Sequence, residues 1–178
     1  MKTLRRTVPM LALAAWAAAG CMLTSGQFVI NYDLQDPTHV VTVGTLPGQL
    51  IDFNTVSEYN DHKDDLKRVE DLALVGDITN NLGTNAEVDV WIVPSGALNL
   101  TPGQVQAQGV HLWGPIAVAG NSTERVDWDR SSTLFVGRQA LIDEIKGDGR
   151  FSLYIIGNGT YDLTIRSGSV IAVIGAAQ

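Results

Sequence analysis

The chain has 178 residues, a formal net charge of −7 and one cysteine. So acidic a balance argues against a nucleic-acid binder and against electrostatic adhesion to anionic lipid head groups, and one cysteine excludes an intramolecular disulfide. With 45% apolar residues, a chain of this length can bury one core, and packing alone must hold it.

Lys2, Arg5 and Arg6 precede an apolar run from Met10 to Ala19. The run is shorter than the roughly 20 residues a spanning helix needs and has the layout of an export signal. Ala18-Ala19-Gly20-Cys21 follows, setting two small residues and a glycine before the sole cysteine. This stretch resembles the lipobox of bacterial lipoproteins, although Ala18 stands where that family usually carries leucine or another aliphatic residue. The resemblance implies cleavage before Cys21, lipidation of its sulfur and acylation of the new amino terminus, palmitate being one such acyl group. Met22, in place of an aspartate, resembles lipoproteins sorted to an outer membrane. The implied product is a cell-envelope lipoprotein held to the membrane by its lipid, since several acyl chains anchor stably where one binds marginally. An ordinary signal peptide cleaved at Ala17-Ala18-Ala19, with Cys21 an incidental thiol, fits the same residues.

The expected organisation is a signal peptide over 1–20, a lipidated tether over 21–27 and one domain over 28–178. Removing the first 20 residues leaves 158 and takes the formal charge from −7 to −10, because three cations and no acids go with them.

Strand signals begin with Phe28–Tyr32, His39–Val43 and Gln49–Phe53, kept short by Pro37, Gly44, Pro47 and Gly48. The charged block 57–68 predicts a helix of two to three turns, with Ser57 as N-cap. Leu72–Thr79 and Ala86–Val93 predict a hairpin joined by Asn80–Asn85. In its second strand Ala86, Val88, Val90 and Ile92 share one face, and Glu87, Asp89, Trp91 and Val93 share the other. Leu98–Gln108 is expected to be a polar loop. Val110–Trp113, Ile116–Val118 and Arg125–Trp128 are three further short strands, and Arg138–Lys146 is a helix stopped by Gly147. Phe151–Ile156, Tyr161–Ile165 and Val170–Gly175 predict a three-stranded meander, its last strand apolar on both faces and therefore inside a sheet. The fold class is all-β, an antiparallel β-sandwich with one or two short helices.

No motif for catalysis stands out. Asp61, Asp64, Asp65, Glu70 and Asp71 lack calcium-loop spacing, and His39, His62 and His111 are too scattered for zinc, so no metal or cofactor is expected. Asp127-Trp128-Asp129 offers two carboxylates on one side of a predicted strand. Trp91, Trp113 and Trp128 form a possible ligand platform, because aromatics on an outer sheet face are where sugar rings stack. The leading expectation is a membrane-anchored, non-enzymatic binding or assembly module whose partners are the membrane, envelope proteins or glycans, and no nucleic acid. The alternatives are a carbohydrate-binding module and, less favoured, a hydrolase with a dispersed site.

Overall fold

Apolar alternation sets the architecture. Ala86, Val88, Val90 and Ile92 are all buried, facing the inner residues of a second sheet across a shared core. A computed structural model describes residues 27–42 and 44–176 of the chain. The expected signal peptide, Cys21 and most of the tether lie outside them.

Two antiparallel sheets form a β-sandwich. In the five-stranded sheet β9 (Asp162–Ala176) is central. On one side β1 (Gln27–Asp33) pairs with its second half and β2 (Thr38–Val41) with its first half. On the other side lies β4 (Leu66–Asn80), followed by β7 (Thr123–Val126). The four-stranded sheet runs β3 (Gln49–Asp52), β8 (Arg150–Gly157), β5 (Ala86–Val93), β6 (Val110–Val118). The short helices are α1 (Ser57–His62), α2 (Pro102–Gln108), α3 (Trp128–Thr133) and α4 (Arg138–Lys146). None of the described helices is long and apolar enough to cross a membrane.

The carboxyl-terminal meander is corrected. β8 and β9 belong to different sheets, so residues 158–161 form a corner between layers. Arg166–Ser169 is no hairpin turn either, because β9 continues through it. Between Val75/Ser169 and Asp77/Arg166 the ladder gains one extra residue on β9, and Ser167 takes a φ of 50°. Such a bulge shifts the side-chain phase by one: Leu163 and Ile165 are buried before it, Val170, Ala172 and Ile174 after it. The bulge needs Gly76 opposite, with a φ of 150° and a site where a Cβ would stand 3.0 Å from Gly168 Cα. The expectation that the last run lies inside a sheet holds, as β9 has neighbours on both sides.

The expected β4–β5 hairpin is likewise a sheet-to-sheet crossing. Asn80, fully buried, secures it. Its Nδ2 donates to Thr84 O at 2.7 Å and to Val118 O on β6 at 3.2 Å, and its Oδ1 accepts from Leu82 N–H at 3.1 Å.

The helix expected over 57–68 covers less chain. α1 stops at His62, and Leu66–Arg68 already belong to β4, where Leu66 and Val69 pair with Ala176 and Ile174. The N-cap is Val56, not Ser57. The expected polar loop at 98–108 contains α2, whose Thr101 and Gln104 form a reciprocal capping box and whose Val105 is fully buried. α4 matches its expected bounds, with Leu141 and Ile145 buried.

Candidate functional site

Trp91 is the one tryptophan of the expected platform that occupies an outer sheet face. On β5 it stands opposite Tyr154 of β8 and His111 of β6. The Trp91 and His111 rings stack with centroids 5.0 Å apart at 26°, and His111 Nε2 lies 2.8 Å from Asp89 Oδ1. Asp89 and Trp91, two residues apart on one strand, share that face. Gly114 lets β6 approach: its φ is 107°, and a Cβ there would sit 3.0 Å from Asp89 Oδ1.

Tyr154 gives no exposed surface. It is fully buried, and its hydroxyl donates to Ala97 O at 2.8 Å. Burial raises the Tyr154 hydroxyl above its ordinary value, and a hydrogen bond from the Leu100 backbone opposes the shift. What remains accessible is a half-buried indole edged by a histidine–carboxylate pair, both about one-third exposed. With Nε2 committed to Asp89, Nδ1 is the ring nitrogen left for a further partner. A flat ring beside a hydrogen-bonding pair suits a ligand with one apolar face and a polar rim.

The platform of three tryptophans is corrected. Trp113 is 1% exposed and points into the core, where its Nε1 donates to Ser131 O at 3.1 Å. Trp128 opens α3 and donates from Nε1 to Asp71 Oδ2 on β4 at 3.2 Å, which ties it to the other sheet. The three indoles therefore share no face.

Asp127 and Asp129 do not flank a strand. β7 ends at Val126, and Asp127 is the N-cap of α3, accepting from Arg130 N–H at 2.9 Å. Among the described residues no group of three potential ligands could hold a metal. The histidines are dispersed: the His62 ring meets Phe28 at a tilt of 36° with centroids 4.6 Å apart, and His39 belongs to a polar cluster on β2 and β9.

In that cluster Asp162 Oδ1 accepts from Asn81 Nδ2 at 2.7 Å and meets His39 Nε2 at 2.7 Å. Asn81 also donates to Thr164 Oγ1 at 3.0 Å. The hydrogen bonds from Asn81 and then His39 hold the Asp162 carboxyl below its ordinary value. A carboxyl lowered by folding stabilises the fold fully above its unfolded pKa, and that contribution is lost as pH falls through the folded one. Asp162→Asn is therefore expected to flatten the decline of the thermal midpoint below about pH 4, measured by circular dichroism at stepped pH.

Sequence reasoning missed His111 and Asp89 as companions of Trp91. The i, i+2 spacing of Asp89 and Trp91 signalled a shared face. His111 was out of reach, because two register shifts on β6 decide which of its residues meets Trp91. No family model, no curated protein and no solved structure matches this chain.

Proposed function

We propose that this chain is a bacterial lipoprotein, anchored through Cys21, whose β-sandwich serves the cell envelope as a binding or assembly module without catalytic turnover. The observation that carries this reading is Ala18-Ala19-Gly20-Cys21 after a short apolar signal, with only Met22–Gly26 before β1 begins at Gln27. The non-catalytic half is supported by the structural work of the acids once eligible for chemistry. Asp127 caps α3, while Asp71 accepts from Trp128 Nε1 at 3.2 Å. Cells fed isotope-labelled palmitate are expected to label the protein, and Cys21→Ser to abolish the label. Equal labelling of both chains would remove the anchor from the account.

A second reading has its own observation, the Trp91 indole beside His111 and Asp89 on the outer face. In this reading the module binds glycans by stacking a sugar ring at Trp91. Retention of the mature protein on envelope polysaccharide is expected to disappear in Trp91→Ala, with the far-ultraviolet spectrum unchanged. A parent that is not retained, or a variant retained equally, would dismiss it.

A further inference from the structure

The edges of the two sheets are not treated alike. An edge strand exposes unpaired N–H and C=O groups, which proteins blunt with covering segments, charges, proline, bulges or shortness. On β6 a covering segment does this: Gly114 N–H donates to Leu134 O and Val136 N–H to Leu112 O, both at 3.0 Å, and Pro115 follows in the strand. β7 has four residues and carries Glu124 and Arg125. Where it ends, Ser131 Oγ takes over and accepts from Leu74 N–H at 2.7 Å. β3 also has four residues, and its Leu50 O accepts from the Tyr32 hydroxyl at 3.2 Å.

Helix α1 touches β1, His62 lying against Phe28, but among the described residues no backbone group of another segment bonds to its outward side. The seven residues of β1, QFVINYD, run along β9 without a register shift or a proline, and their one charge is the terminal Asp33. Leu34 N–H donates to Gly168 O at 2.8 Å, so the even-numbered residues of β1 turn their backbone groups toward β9. Those of Gln27, Val29, Asn31 and Asp33 consequently point away from the sheet. Among the described residues no strand pairs along that side, and Val29 is 52% exposed. β2, of four residues, continues the same edge.

We propose that β1 pairs antiparallel with β1 of a second copy of this chain, about a two-fold axis at Ile30, joining two five-stranded sheets into one. It rests on the assembly half of the proposed function and not on the lipid. In this register Val29 faces Asn31 and Gln27 faces Asp33, so every outward-pointing residue enters a hydrogen-bonded pair. Phe28 meets Tyr32 on the core side, and each Asp33 carboxylate faces an amide in place of another carboxylate. Moving the axis to Val29 or Asn31 leaves one end of the strand unmatched, and at Asn31 it sets the apolar Val29 against the Asp33 carboxylate. A two-fold interface must be self-complementary in this way.

The test uses the full chain in its host, with Val29→Cys and Asn31→Cys on two copies expressed together and oxidised. Both positions are exposed, so an unchanged thermal midpoint is expected. Val29 of one copy faces Asn31 of the other, so a covalent dimer is expected from the mixture and none from either variant alone. Dimers from one variant alone would overturn the register. Absence of dimer throughout, or a cross-linked product of any mass other than twice that of the chain, would overturn the pairing. The parent carries only Cys21, so a parent dimer would report a free thiol and count against the lipid anchor. The two variants are then compared in a Cys21→Ser background, which separates the two failures.

Discussion

Truncating Trp113 to alanine is expected to lower the unfolding free energy by about 4 kcal/mol, the cost of emptying a large aromatic site in a core that cannot collapse to fill it. Trp113 is 1% exposed, and it links strand, helix and edge. Its Nε1 donates to Ser131 O at 3.1 Å, while Ser131 Oγ accepts the Leu74 N–H at the edge of β4. Trp113→Phe keeps most of the packing and removes that hydrogen bond, so it is expected to cost roughly 1 to 2 kcal/mol. Urea unfolding followed by circular dichroism checks the series. Equal midpoints for the parent and the alanine variant would place Trp113 outside the core.

The second large effect is expected at Asn80. Replacing it with leucine preserves approximate volume but strands Thr84 O, Val118 O and Leu82 N–H, which the amide now satisfies. A buried polar group that loses its partner costs about 1 to 3 kcal/mol, and the three share one side chain, so the total is expected near 3 kcal/mol. Asn80→Asp tests the cause, since it keeps the acceptor for Leu82 N–H and loses both donated bonds. It is expected to destabilise strongly at neutral pH and less under mild acid, where the carboxylic acid regains one donor. Indifference of stability to both substitutions would show that the crossing between sheets does not depend on this residue.

These two residues show what the sequence could and could not convey. The face of each strand was legible wherever alternation ran unbroken, as in Ala86–Ile92, and the sandwich class followed from it. Partnership between strands was not legible. The connections at Asn80–Asn85 and 158–161 have the turn chemistry of hairpins, yet each carries the chain from one layer to the other, and local turn signals do not distinguish the two. Bulges misled in a different way: at Ser167 the apolar phase changes by one residue within a single strand, which in sequence reads as two strands and a turn. For Trp113 the break at Gly114-Pro115 hid the continuity of β6 and with it the inward direction of the indole. Trp91 was placed on its proper face because its strand is regular on that side, while its histidine neighbour depended on a register that only the fold supplies.

Mass spectrometry of the amino-terminal peptide of the mature chain tests the anchored-module account most directly. The predicted peptide begins at Cys21 and is heavier than its residues by the mass of its acyl chains. A peptide beginning at Gly20, with an unmodified thiol on Cys21, would contradict it.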